Sequence, residues 1–278
     1  MLGVTLLDSI YTPIADIRDK GVIKANAIVI DCIIRDHIKL IGTNGAHTYA
    51  DSGHHYFCST MMDVIYSTDS IDANNIVSLG FEKTQTFMNA YECACWGFCI
   101  RYHLDNKKDI QYFSISVMDI NLMEQNFWAS NSQWGKSGFG ITTLFFEVTV
   151  SDDKKNCLII GKASSDNNII GFTSAAKLAM ANFEANCLAL PFFPEKMSIP
   201  VRRSLKDISL LSDYHSIYGH AFGSDPWIAL IKDYLNGSIK YSSLVCGSLA
   251  LRGYYCFVKL NISKNLNAKI QNEVVTWQ

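Results

Sequence analysis

"YECACWGFCIRYHL", residues 91–104, sets three cysteines within seven positions and then takes on the pattern of a short helix. Cys95 stands where the extended segment "TFMNAYEC" gives way to that helix, and Gly97 leaves room for another backbone to come close. Three readings compete: a metal knot, a slab of core, or one reactive thiol among inert neighbours. The spacing C-x-C-x3-C of Cys93, Cys95 and Cys99 is not a zinc pattern. The pair His54–His55 could add ligands only if the fold carried it there, so no metal site is expected. Cys93 and Cys99 read as small buried hydrophobes. Cys95 reads differently. A thiol in the first turn of a helix meets unpaired N–H groups and the positive end of the dipole, which favour thiolate and can hold the oxyanion of an acyl intermediate.

A thiolate needs a proton partner. His103 lies eight residues along the same helix, about 12 Å away at 1.5 Å per residue, so the partner must come from elsewhere. "HSIYGHAFGSDPW" (215–227) supplies His215 and His220 just before a second capped helix, and His220 is the better placed.

The wider sequence sets the frame. The chain has 278 residues, 49% hydrophobic and 18% charged, enough for a large buried core. A net charge of −2 lacks the basic excess of a nucleic-acid surface. No apolar run approaches the ~20 residues that span a bilayer. "LGVTLLDSIYTP" after Met1 has no basic leader, and nine cysteines in mostly apolar segments suit a reducing compartment. A cytoplasmic location is the expectation, with no nucleic-acid or membrane partner.

Strand-length apolar runs recur at 24–34, 62–68, 111–120, 140–150, 156–163, 242–251 and 253–262. Many are apolar at nearly every residue, as in strands covered on both faces. Helical segments fall between them, at 96–104 and 224–237, the latter with Ser224 or Asp225 as cap, Pro226 in the first turn and Gly237 at the end. Alternation of this kind predicts an α/β layered domain. The order helix, strand, strand closes both halves, which suggests a pseudo-repeat dividing the chain into 1–150, with the thiol, and 151–278, with the histidine.

These residues carry a family resemblance. "ECACWGF" is similar to the "AC-x-GF" nucleophile motif of thiolase-fold condensing enzymes, especially the ketoacyl-ACP synthases of the third class. "YGHAFGSDPWIAL" (218–230) resembles their "GN-T-x-A-S" segment, with His220 in the place of asparagine. "WGKSGFGITTLFFEV" (134–148) resembles the strand that closes their first half, and 237–260 their glycine-rich closing hairpin. The resemblance implies a five-layered α-β-α-β-α thiolase fold of two related halves. It implies a dimer, and acyl groups delivered as thioesters on coenzyme A or an acyl carrier protein, with no permanent cofactor. Carried over, Cys95 is the acylated nucleophile, His220 its base, Gly253 a second oxyanion donor beside the N–H of Cys95, and Phe222 a substrate-lining residue. Two departures stand out. No "HQAN"-like segment exists, since 188–203 holds no histidine, and the hairpin reads "LRG" where the family has several glycines. The implied activity is acyl transfer through a cysteine; the alternative is a shortened, non-catalytic partner of a larger synthase.

Overall fold

A computed structural model describes residues 2–14, 36–42, 52–60, 85–88, 90–107, 109–119, 130, 132, 134–150, 156–163 and 167–272. The strand runs expected at 24–34 and 62–68 lie outside the described residues. The rest resolve into ten strands and six helices: β1 (Leu2–Ile14), α1 (36–42), β2 (His54–Cys58), β3 (Gln85–Met88), α2 (Cys95–Asn106), β4 (Tyr112–Asp119), β5 (Phe139–Val150), β6 (Leu158–Lys162), α3 (Asn168–Phe183), β7 (Cys187–Ala189), α4 (Glu195–Ser204), β8 (Ser209–Leu210), α5 (His215–Tyr218), α6 (Asp225–Leu235), β9 (Ser243–Leu249) and β10 (Tyr254–Ile270).

The strands are arranged twice over in one plan. The first five follow the order β3-β2-β4-β5-β1 and the last five β8-β7-β9-β10-β6. In each set only the fifth strand in sequence, β5 or β10, runs antiparallel to the others. The helix–strand–strand repeat seen in the sequence is therefore the tail of a full duplication, α2-β4-β5 matched by α6-β9-β10. The two sets join because β10 is longer than its apolar run suggested. Residues 254–258 pair with β6, then the strand continues past residue 262 and lies parallel to β1, from Thr5 opposite Asn261 to Tyr11 opposite Ile270.

Three helical layers sandwich these two strand sets. The helices α2 and α6 lie between the sets, each touching strands of both, and their indoles Trp96 and Trp227 meet edge to face at 4.8 Å. Both rings are fully buried, so this contact is the centre of the core. On the outer side of the second set, Phe172, Ala176, Ala179, Met180 and Phe183 of α3 pack on Val245 and Phe257. On the outer side of the first set, His37 of α1 hydrogen-bonds Thr12 of β1 and Thr143 of β5. The result is the expected α-β-α-β-α stack. Burial explains why β5 is apolar along most of its length: its first eight residues are buried.

Local chemistry sets the helix ends. Asn167 caps α3, its side chain accepting from the N–H groups of Ile169 and Ile170. Pro226 occupies the first turn of α6, but Ser224, its cap, makes no side-chain capping bond and Asp225 is turned to another task described below. Strands β1, β2, β7 and β8 and helices α1, α3, α4 and α5 have no counterpart among the segments expected from the sequence; α4 contains Pro200. Among the described residues no helix is long and apolar enough to cross a membrane.

Candidate active site

Each central helix is entered through the same irregular turn. Glu92–Ala94 forms a 3-10 turn that runs directly into α2, and Phe222–Ser224 forms one that runs directly into α6. The leading residue of each has a left-handed backbone, Glu92 at φ 48° and Phe222 at φ 50°, and Tyr91 before the first is at φ 73°. Side chains with a Cβ adopt this region at a cost of about 1–3 kcal/mol, and such positions gather at functional sites. Contacts on both sides hold the first turn. Tyr91 stacks on Phe98, and Glu92 forms an ion pair with Arg252 in the β9–β10 turn, 3.4 Å apart. The two turns face each other, with the backbone of Gly223 so near that a Cβ there would lie 3.3 Å from the carbonyl oxygen of Cys93. This is the meeting of the two loops anticipated from the sequence.

A cavity of about 310 Å³ opens beside them, lined mainly by aromatic and aliphatic side chains, including Trp134, Phe192, Phe193 and Phe222. Its polar lining includes Thr60, Glu92, Cys93, Asn168 and His220. Of the four residues singled out from the sequence, His220 and Phe222 line the cavity and Cys95 and Gly253 do not.

The two cysteines of the turn have separate surroundings. Cys95 is 0% exposed and belongs to the core between the strand sets. Its sulfur neighbours the Cys58 thiol, while Gly97, two residues on, is pressed against Cys256, where a Cβ would come within 2.5 Å. Burial raises the Cys95 thiol above its ordinary range. The helix dipole that promised a thiolate is outweighed by desolvation. Cys93, read from the sequence as inert, is the cysteine that lines the cavity. It is 4% exposed, and its sulfur accepts a hydrogen bond from the Thr60 hydroxyl at 3.7 Å. Burial, and then the charge of Asp119, raise this thiol too, with Thr60 opposing them.

Gly253 occupies the β9–β10 turn at φ 83°, where it is needed for the turn itself. Its N–H is donated to the carbonyl of Ala250 at 2.9 Å, so it is not available to an oxyanion. A Cβ there would also strike the Asn168 side chain at 2.6 Å.

His220 gains a partner that the sequence reading took for a helix cap. Its Nδ1 lies 2.6 Å from Oδ2 of Asp225, five residues on. Asp225 is fully buried and also accepts the N–H of Phe192 at 2.8 Å and that of Ala221 at 2.6 Å. Burial pushes its carboxyl up, and His220 with these N–H groups pulls it back. With Nδ1 given to Asp225, Nε2 makes no hydrogen bond among the described residues and is the ring nitrogen left to exchange a proton. Asp119, at the end of β4, completes the cluster: its oxygens accept the N–H of Thr60 at 3.3 Å and the hydroxyl of Ser224 at 3.4 Å.

The other described histidines fall elsewhere. His215 holds the carbonyl of Trp134 through Nε2 at 2.9 Å and so braces one wall of the cavity. His103 is buried between Tyr56 and the carbonyl of Ile110. His54 and His55 pair with Thr86 and Ser114, and among the described residues no group of three or more His, Cys, Asp or Glu is placed to hold a metal. Arg202 is engaged by Ser198, the carbonyl of Leu211 and Asp213.

No family model and no curated protein matches the chain. Solved structures do. 3-Oxoacyl-(acyl carrier protein) synthase III from Pseudomonas aeruginosa superposes with a TM-score of 0.62 at 9% identity, over 94% of this chain and 99% of that one. The priming β-ketosynthase of the R1128 polyketide pathway gives 0.64 at 10% identity, over 94% and 96%. A tetronic acid condensing enzyme gives 0.60 at 7% identity, over 92% and 99%. Identity this low speaks to architecture, and the duplicated five-strand plan with paired central helices agrees: the chain has the thiolase fold of the condensing enzymes.

Proposed function

We propose that the protein is an acyl-transfer enzyme of the condensing type whose nucleophile is Cys93, with His220 as base and Asp225 as the group that orients it. The observation that carries this reading is that Cys93 and His220 line one cavity, with His220 Nδ1 held 2.6 Å from a buried carboxylate. That arrangement follows the logic of nucleophile, base and orienting acid.

The chemistry runs as follows. A thiol raised by burial stays protonated at neutral pH, so it must lose its proton as it attacks. His220 Nε2 takes that proton while Cys93 Sγ bonds to the carbonyl carbon of a thioester. The imidazolium, stabilised by Asp225, returns the proton to the departing thiolate of coenzyme A or of the carrier's phosphopantetheine. The acyl-cysteine then passes its acyl group to a second nucleophile, regenerating the thiol. The largely apolar cavity suits the acyl chain, and the names borne by the structural neighbours support thioester donors. In this proposal the chain works in the cytoplasm as a dimer, with itself or with a larger homologue, and carries no permanent cofactor.

The full burial of Cys95, which stands at the motif's cysteine, favours one second reading: a non-catalytic partner of an active synthase. One experiment separates the two. The purified chain is incubated with short acyl-coenzyme A thioesters and its intact mass measured. An acyl adduct that survives in Cys95→Ala and disappears in Cys93→Ala supports the proposal. An adduct lost only in Cys95→Ala would return the nucleophile to Cys95. No adduct in any form, with tight association to a larger homologue, would establish the partner role.

A further inference from the structure

Asp119 has no part in the proton transfers above, yet it is fully buried within their reach. It ends β4 where three chain segments converge: the residues after β2, the Cys93 turn, and the Phe222–Ser224 turn of the second half. Its Oδ1 takes the N–H of Thr60, whose hydroxyl is donated to Cys93 Sγ, and its Oδ2 takes the hydroxyl of Ser224, the residue just before Asp225. The charged and titratable groups facing it are Cys93 on the first turn and His220 and Asp225 on the second-half loop; Glu92 faces Cys93 from the same turn.

We propose that Asp119 is a positioning residue for Cys93, fixing the Thr60 hydroxyl on the sulfur while placing a carboxylate beside it. The inference rests on Cys93 being the working thiol. The two effects oppose each other. A hydroxyl donating to sulfur favours thiolate, and a neighbouring carboxylate disfavours it. The Thr60 bond is long at 3.7 Å, and the carboxylate is withdrawn from water, so its charge dominates. Burial, with Asp225 adding to it, lifts the Asp119 carboxyl to about 7, so the charge beside Cys93 is switched within the physiological range. Thiol reactivity is then restrained as the pH rises, and the restraint is released by neutralising one oxygen.

The test is the pH dependence of Cys93 alkylation by iodoacetamide, read by peptide mass spectrometry in the wild type, Asp119→Asn and Thr60→Val. Asparagine retains an acceptor for the clamp and removes the charge. The wild-type midpoint is expected above the ~8.5 of a free cysteine. Asp119→Asn should lower it by about one unit, roughly tenfold faster alkylation at pH 7, and Thr60→Val should raise it. A change in access alone would alter the rate at all pH values and leave the midpoint in place. A wild-type midpoint at the free value, or superimposable midpoints for wild type and Asp119→Asn, would overturn the proposal. Should Asp119→Asn misfold, Thr60→Val decides: a midpoint no higher than that of the wild type would overturn the clamp on the sulfur. Alkylation needs no acyl donor, so a failure of acyl transfer with the expected midpoints would sink the proposed activity and leave Asp119 standing.

Discussion

Cys93 and Cys95 are two residues apart on one turn and occupy different chemical worlds: the first borders the cavity with Thr60 on its sulfur, the second is sealed among Cys58, Cys99 and Cys256. Substitution should separate them. Cys95→Ala removes only a small buried group, so it should cost about 1 kcal/mol of stability and leave acylation near the wild-type rate. Cys93→Ala should abolish acylation with little loss of stability. Denaturant midpoints and adduct mass, measured on both variants, check this.

The seat of Cys95 depends on Gly97. An added methyl there would come within 2.5 Å of Cβ and Sγ of Cys256, both deep in the core. Gly97→Ala should destabilise the protein by about 1–3 kcal/mol through overpacking, although alanine is the better helix former. Adding Cys256→Gly should recover part of the loss. No recovery in the double variant would show that the strain lies elsewhere.

Asp225 binds three donors in the core, so truncating it orphans them together. Asp225→Ala should destabilise by about 3–5 kcal/mol. Asp225→Asn keeps the shape but presents an amide where His220 needs an acceptor, and should slow acylation at least ~100-fold while the fold survives. Single-turnover acylation followed by mass spectrometry measures this. Equal rates in wild type and Asp225→Asn would remove the His220–Asp225 pair from the mechanism.

Asp119 also leaves a signature in stability. Its carboxyl titrates at about 7 in the folded protein and near 3.9 when unfolded. Between those values the folded state binds more protons, so stability falls as pH rises through the window and the full penalty is present above about 7. Asp119→Asn should therefore be more stable than wild type at pH 8, by on the order of 4 kcal/mol, and lose that advantage as pH falls toward 4. Thermal unfolding of both proteins from pH 4 to 8 checks the sign. A difference independent of pH would mean that burial does not raise the Asp119 carboxyl above its unfolded value.

Much of the architecture was legible because it rests on local pattern. Continuous apolar runs marked β4, β5, β6, β9 and most of β10, since strands covered on both faces have no side left for polar residues. Proline at the first turn marked α6. The Trp-Gly-Phe after Cys95 marked the start of α2, where a residue without Cβ lets Cys256 approach. His220 was found by its place before the helix at 224–237, and Phe222 through the family resemblance.

The sequence by itself determined the two-half layered fold and brought the search to within two residues of the thiol on the cavity. Only the tertiary structure decided which sulfur meets the cavity, that Asp225 serves an imidazole and not a helix end, and that Gly253 has already donated its N–H. The physical reason is that exposure and hydrogen-bond pairing belong to the packing between halves. Two left-handed residues, Tyr91 and Glu92, turn the chain before α2, and no pattern of residue types along one strand or helix records which way that turn points its neighbours.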